Sequence, residues 1–402
     1  MSAVIDFFRK YVNIPSASVD MSQSKPSSPE QIRLAEILAE DMREIGIADA
    51  YSDALGYAYG TIPANAEGQP VIGLIAHLDV VDDAPCTPMH ERIIKNYDGG
   101  VIRLNGSVFT DPEEYTVLKG CIGKDLIVTD GNTILGADDK AGVAEILAMA
   151  QRLINDPSIK HGTVKIAFTP DEEVGGSAVD LDIAKFGADF AYTVDGGGMG
   201  EIEFENFNAA SAKVTVYGTL THPGGGKNKM KNAALIGAEY ARLLSEAETP
   251  MHTEGYEGFY HLLGINGKVD KTELVYILRD HDAEKLVRRK EFLGVCAAFI
   301  NEKYGEGTCE VVARDSYRNM AEVIRRDMSV ITRAAEAYRA CGIEAVYPPV
   351  RGGTDGASLS WRGLPCPNLS TGGYIGHSVR EFACVQDMET LVDVLTELVR
   401  AR

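Results

Sequence analysis

The sequence predicts an α/β protein: a mixed, largely parallel sheet flanked by helices, into which an α+β lid domain of four antiparallel strands and two helices is inserted. Three observations carry this expectation. Short apolar runs at Val71–Ala76, Val164–Thr169 and Phe190–Val194 read as buried central strands, with helical periodicity between them. Near Asn206 the texture changes to strict alternation, as in a half-solvated antiparallel strand. After about Met320 the α/β texture resumes. The expected division is therefore residues 1–206 with 319–402 as the α/β domain and 207–318 as the insert.

The elements follow in order. Met1–Tyr11 is amphipathic and carries charges, unlike a signal peptide. A Ser/Pro-rich stretch, Ser16–Ser28, leads into a helix for which Ser28 is the expected cap, Pro29 the first residue and Gln31 the capping-box partner. Leu34, Leu38, Met42 and Ile45 form its buried stripe, and Gly46 its stop. Residues 82–124 give mixed signals and no assignment. Lys140–Ile154 reads as a helix between central strands. In the insert, Ala212, Val214 and Val216 alternate with polar residues; a helix over about Asn232–Glu246, a strand near Glu273–Leu278, a helix capped by Asp282 and a strand near Cys309–Ala313 follow. Helices at Ser329–Cys341 and Met388–Arg400 close the chain.

Composition narrows the function classes. The 402 residues carry a formal charge of −20, which argues against nucleic acid or an anionic membrane surface as partner. The longest clean apolar run, Val71–Ala76, is far too short to cross a bilayer. Seven widely spaced cysteines, without a CxxC pair, read as reduced thiols of a cytoplasmic protein.

The chemistry-bearing residues stand at the ends of apolar runs. His77 and Asp79 follow the first buried strand, and period two sends both side chains from one face. A metal-binding imidazole is commonly held from behind by a carboxylate; a histidine bonded to a turn is the simpler reading of the pair alone. Gly131 and Gly136 are spaced as in a phosphate loop, but Ala137-Asp138 stands where Lys-Ser/Thr is required, so cations are favoured over phosphate. Asp138 at a helix entrance could give one oxygen to each of two cations, or simply cap the helix. Glu172 and Glu173 follow the next strand; one can bind metal while the other faces substrate as general base. Asp195 precedes three glycines, and His377 lies in a Gly-rich loop before the final helix. Each could be an ordinary turn residue, but each lies just past the carboxyl end of a strand, where α/β sheets place their ligand sites. Five N and O ligands without thiolate suit a two-metal hydrolytic centre, with zinc the first choice and cobalt or manganese as substitutes. Arg351 could grip a carboxylate bidentately, and Arg279 is a second candidate of that kind. His222, in a Thr-His-Pro-Gly turn, could donate to a developing oxyanion.

These residues, in this order, resemble the peptidase T family, the tripeptide aminopeptidases of the co-catalytic di-zinc peptidase group. The resemblance runs over nearly the whole chain and rests on His77-Leu78-Asp79, Leu135–Gly142, Phe168–Gly175, Tyr192–Gly198, Glu205–Ala210, Thr253–His261, Arg351–Gly356 and Gly372-Gly373-Tyr374. It implies that Asp138 bridges two zinc ions, that His77 and Asp195 complete one site and Glu173 and His377 the other, that Glu172 is the general base, and that Asp79 backs His77. It further implies a short peptide, tripeptides foremost, losing its N-terminal residue. A related carboxypeptidase or N-acyl amino acid amidohydrolase is the nearest alternative, and a non-catalytic metal-binding protein a more distant one. Val80, Gly376 and Arg380 depart from the family pattern without touching an implied ligand. A homodimer is left open, and with it whether His222 serves its own subunit or a neighbour.

Overall fold

The structure is a computed structural model and describes residues 2–402. The chain forms two compact units. One comprises the chain up to Phe204 with Glu322–Tyr347 and Thr354–Arg402; the other comprises Glu205–Ala321 with Pro348–Gly353.

The first unit is built on a seven-stranded sheet in the order Tyr51–Ser52, Ala58–Ile62, Val164–Thr169, Ile72–His77, Phe190–Gly196, Asn368–Ser370, Ile202–Glu203. The four strands from Val164–Thr169 to Asn368–Ser370 run parallel; Ala58–Ile62 and Ile202–Glu203 run antiparallel to them, and Tyr51–Ser52 pairs antiparallel with Ala58–Ile62. Ile72–His77 is buried at every position, which explains why its sequence is a continuous apolar run rather than an alternation. His77 stands opposite Thr169, so two strands deliver their last residues to the same rim.

The helix Ala137–Asn155 packs on this sheet and is buried almost all round, including Lys140 and Glu145. Its contact with the sheet depends on Gly142: a Cβ there would lie 1.9 Å from the carbonyl oxygen of Val194. The helices Ala3–Val12 and Val385–Val399 pack against it in turn. Pro29–Glu44 is the expected second helix, but Ser28 makes no side-chain cap; Gln31 instead turns to Ser27, Ser28 and Asp171.

The unassigned stretch after Asp82 supplies the strand Arg92–Ile94, a small hairpin and the 3₁₀ turn Thr116–Cys121. Arg92–Ile94 joins a second sheet in the order Gly373–Tyr374, Phe382–Cys384, Leu126–Val128, Arg92–Ile94. The first two strands of that sheet form an antiparallel pair, and their connection carries His377.

The second unit is a four-stranded antiparallel sheet in the order Phe259–Gly267, Lys271–Asp280, Asn208–Tyr217, Cys309–Asp315. Ala210, Ala212, Val214 and Val216 share one face with Leu274, Tyr276 and Leu278, and against them pack Ile236 and Tyr240 of Ala233–Ala241 and Leu286, Leu293, Cys296 and Ile300 of Ala283–Tyr304. Asp282 caps the second of these helices by accepting from the N–H of Lys285. Arg351, expected with the returning α/β part, belongs to this unit. Among the described residues no helix is long and apolar enough to cross a membrane.

Candidate metal centre

The site begins with His77 at its strand end. Its Nδ1 lies 3.1 Å from the Asp79 carbonyl oxygen and 3.4 Å from Asp79 Oδ1, which fixes the back of the ring. Its Nε2 faces Asp138 Oδ1 at 2.9 Å and Asp195 Oδ1 at 3.5 Å. Asp79 is fully buried and also supports the following strand end, where its two oxygens accept the N–H groups of Glu172, at 3.0 Å, and Glu173, at 3.2 Å. One carboxylate therefore sits behind both the imidazole and the Glu172-Glu173 turn.

Asp138 occupies the centre. Its other oxygen, Oδ2, faces His377 Nε2 at 3.4 Å, and that nitrogen lies 3.0 Å from Glu173 Oε2. The two oxygens of Asp138 thus look toward two different imidazoles, each of which has a further carboxylate beside it. Asp138 does not cap its helix. Gly136 is the N-terminal boundary, at φ +74°, and Asp138 and Asp139 have non-helical backbone angles just inside it. Asp139 is committed to scaffolding: it accepts the N–H of His77 at 3.1 Å and of Gly142 at 3.2 Å.

Three non-glycine residues around the site, Asp171, Ile375 and His377, have φ +59°, a conformation that costs on the order of 1–3 kcal/mol unless surroundings enforce it. For Asp171 the enforcement is visible. Its carboxylate accepts from the Ser27 N–H and hydroxyl and from Gln31 Nε2, and its own N–H donates to Gln31 Oε1 at 2.9 Å. The helix Pro29–Glu44 thereby braces the turn from which Glu172 and Glu173 project.

The electrostatics show a site with too much negative charge for its own protons. Burial lifts Asp195 to about 7. Burial, and then Asp195 and Asp355, push Glu172 well above the usual carboxylate range, and burial with Asp195 does the same to Asp139. Asp138 and Glu173 hold His377 up to about 11, and His77 is raised well above its ordinary value against the opposing effect of burial, by Asp195, Asp138 and Asp79. Asp138 alone is depressed: burial works against ionisation, but the two imidazoles outweigh it. Divalent cations supply the charge that such a cluster lacks. The donors fit them. His77, Asp138 and Glu173 offer ligand atoms within 4.8 Å of one another, as do His77, Asp139 and Asp195. Glu173 Oε1 is buried without a hydrogen-bond partner, an acceptor that a cation would satisfy. A cavity of about 350 Å³ opens beside the cluster, bordered by Asp138, Asp195, Gly197, Tyr374 and Gly376. A separate buried group, Cys121, Cys384 and Asp387, has its carboxylate committed to Lys124 and Tyr374.

The remaining candidates lie in the second unit. His222 is exposed and its Nδ1 accepts the Gly224 N–H at 3.2 Å, which leaves Nε2 as the protonated nitrogen of the neutral ring. Arg279 donates to the Leu278 carbonyl and stacks over Tyr317. Arg351 differs from its expectation as a free carboxylate fork. Its terminal nitrogens bond the carbonyl oxygens of Gly255, Glu257 and Thr253 and the Thr253 hydroxyl, and its guanidinium lies over Phe207 and Phe259. It braces the loop at 253–257.

Residues 129–401 match the model for peptidase family M20/M25/M40. Peptidase T of Caldanaerobacter subterraneus subsp. tengcongensis is 47% identical over 402 residues, covering 99% of this chain and 98% of its own length. Two solved structures share the fold over 99% of this chain and 97% of theirs: an aminopeptidase PepT from Bacillus cereus, with TM-score 0.77 and 21% identity, and a tripeptidase from Staphylococcus aureus, with TM-score 0.78 and 22% identity.

Proposed function

This chain belongs to peptidase family M20/M25/M40, and on that footing we propose that it is a metal-dependent aminopeptidase that removes the N-terminal residue from short peptides, tripeptides foremost. The observation that carries the reading is the split of Asp138, one oxygen toward His77 and the other toward His377. The names of its relatives agree: a Peptidase T at 47% identity, and an aminopeptidase and a tripeptidase of like fold.

In this reading His77, Asp138 and Asp195 hold one zinc ion, and Asp138, Glu173 and His377 the other, with cobalt or manganese able to replace zinc. Bound there, the metal pair supplies Lewis acidity to the scissile carbonyl and makes a water easier to deprotonate. Glu172 takes the proton from the attacking water and returns it to the departing amine. Its backbone N–H is anchored on Asp79, so the carboxylate that moves the proton and the imidazole of His77 share one support. His222 offers its Nε2–H to the developing oxyanion. Arg279, whose guanidinium keeps more free donors than that of Arg351, takes the C-terminal carboxylate of the peptide, while Arg351 shapes the loop at 253–257. The seven free thiols suit a reducing, cytoplasmic setting.

The test compares a free tripeptide with its N-acetylated form, incubated with zinc-loaded protein and followed by mass spectrometry. Release of the first residue from the free peptide alone is expected. Preferential cleavage of the acetylated peptide would favour an amidohydrolase, and release of the last residue a carboxypeptidase.

A further inference from the structure

The segment that carries Asp138 enters its helix through a kink: Asp138 and Asp139 have non-helical backbone angles, and the regular turns begin after them. The first N–H groups of a helix need acceptors, which a Ser, Thr, Asp or Asn at the boundary usually supplies. Asp139 supplies one, accepting the Gly142 N–H at 3.2 Å, but the N–H groups ahead of the kink, at Leu135, Gly136 and Asp138, need another, and Gly136 has no side chain to offer. The acceptor comes from Glu381, a buried side chain more than two hundred residues along the chain. Glu381 Oε2 accepts the N–H groups of Leu135 at 2.8 Å and Gly136 at 2.6 Å, and Oε1 accepts the N–H of Asp138 at 2.9 Å.

Glu381 also closes the connection that carries His377. That connection leaves the strand Gly373–Tyr374 and returns at Phe382–Cys384, and the Glu381 N–H donates to the Ser378 carbonyl. Within it Gly376 passes so close to Asp138 that a Cβ there would lie 2.8 Å from Oδ2. One carboxylate therefore ties the backbone of Asp138 to the loop of His377, the two residues that face each other across the second half of the cluster.

We propose that Glu381 is a positioning residue for the metal pair: a remote anchor for the kinked backbone that leads into the helix, which sets the spacing between Asp138 and His377 before any ion arrives. The proposal rests on the ligand assignment made above. Partners that orient metal ligands typically account for 10–100-fold in metal affinity.

The two oxygens of Glu381 have separate duties, so the conservative variant is informative. In E381Q the amide oxygen still serves Leu135 and Gly136, but the amide NH₂ faces the Asp138 N–H as a second donor and that contact is lost. The experiment measures zinc affinity of wild-type protein and of E381Q and E381D by competition with a chromophoric chelator, alongside melting of the metal-free forms. We expect E381Q to bind zinc 10–100-fold more weakly, and E381D, one methylene too short for all three N–H groups, to bind more weakly still. Wild-type affinity in E381Q overturns the proposal, including the case in which the variant melts lower and so shows a purely structural role. Wild-type protein that binds two zinc ions and cleaves no tripeptide would sink the peptidase reading and leave this one standing.

Discussion

Glu172 and Arg351 show how far a single side chain is decided by its neighbours. Burial acts most strongly on Glu172, and the like charges of Asp195 and Asp355 add to it, so its carboxylate holds a proton more readily than a surface glutamate. That is the property a group needs if it is to accept a proton from water and give it back within one turnover. Glu172→Gln should keep both metals, as checked by elemental analysis, and lose about 10²–10⁴-fold in kcat; unchanged turnover would rule out the general-base role. Arg351 lies at the other extreme. Its residue type and glycine-rich setting in the sequence fit a carboxylate grip equally well, and only the carbonyl oxygens of Thr253, Gly255 and Glu257 around its guanidinium reveal a brace.

Elements were readable in the sequence where local pattern and burial agree. Val164–Thr169 is a strand over the very range that its apolar run marks, because a strand buried on both faces needs no other information. The strand Phe259–Gly267 is a different case. It lies on the sheet edge and is mostly exposed after Tyr260, so burial imposes little alternation on it and its sequence gives little sign of it. The stretch after Asp82 is built of two- and three-residue strands: Arg92–Ile94 finds its partner in Leu126–Val128, which in turn pairs with the distant Phe382–Cys384, and Ile102–Arg103 pairs only with Phe109–Thr110. In the metal centre, strand ends announced the candidate ligands, whereas Asp139 and Glu381 act on backbone N–H groups and carry no motif beyond being carboxylates in buried stretches. The central helix offers a test at this scale. Gly142→Ala would drive a Cβ into the Val194 carbonyl, one residue before Asp195. It should destabilise the fold by about 1–3 kcal/mol, read from the urea midpoint, and lower metal occupancy; a midpoint equal to wild type would show that helix and sheet can part at no cost.

Across the whole molecule the excess of acidic groups makes stability depend on pH in a direction that can be worked out. In the metal-free protein His377 is raised to about 11 and Asp195 from 3.8 to about 7, and His77 is also raised. A group whose folded pKa exceeds its unfolded value adds stability that is complete below the unfolded value and lost as pH climbs through the folded one. Asp195 gives up its share between about pH 4 and 7, and the histidines theirs from about 6.5 upward. Asp138, depressed, is ionised throughout and adds no slope there. Metal-free protein should therefore melt lower at pH 9 than at pH 6, and zinc should remove most of the difference by taking the place of those protons; calorimetry on chelated and zinc-loaded samples decides, and equal melting of the chelated protein at both pH values would refute it. The order of the chain adds a temporal consequence. All of Glu205–Ala321 and Pro348–Gly353 lies between Asp195 and His377, so during translation four of the candidate ligands emerge long before the fifth. A ribosome must thread out the entire second unit before the cluster can be finished, and metal capture becomes a late step of biogenesis, a report that synthesis has passed the last histidine.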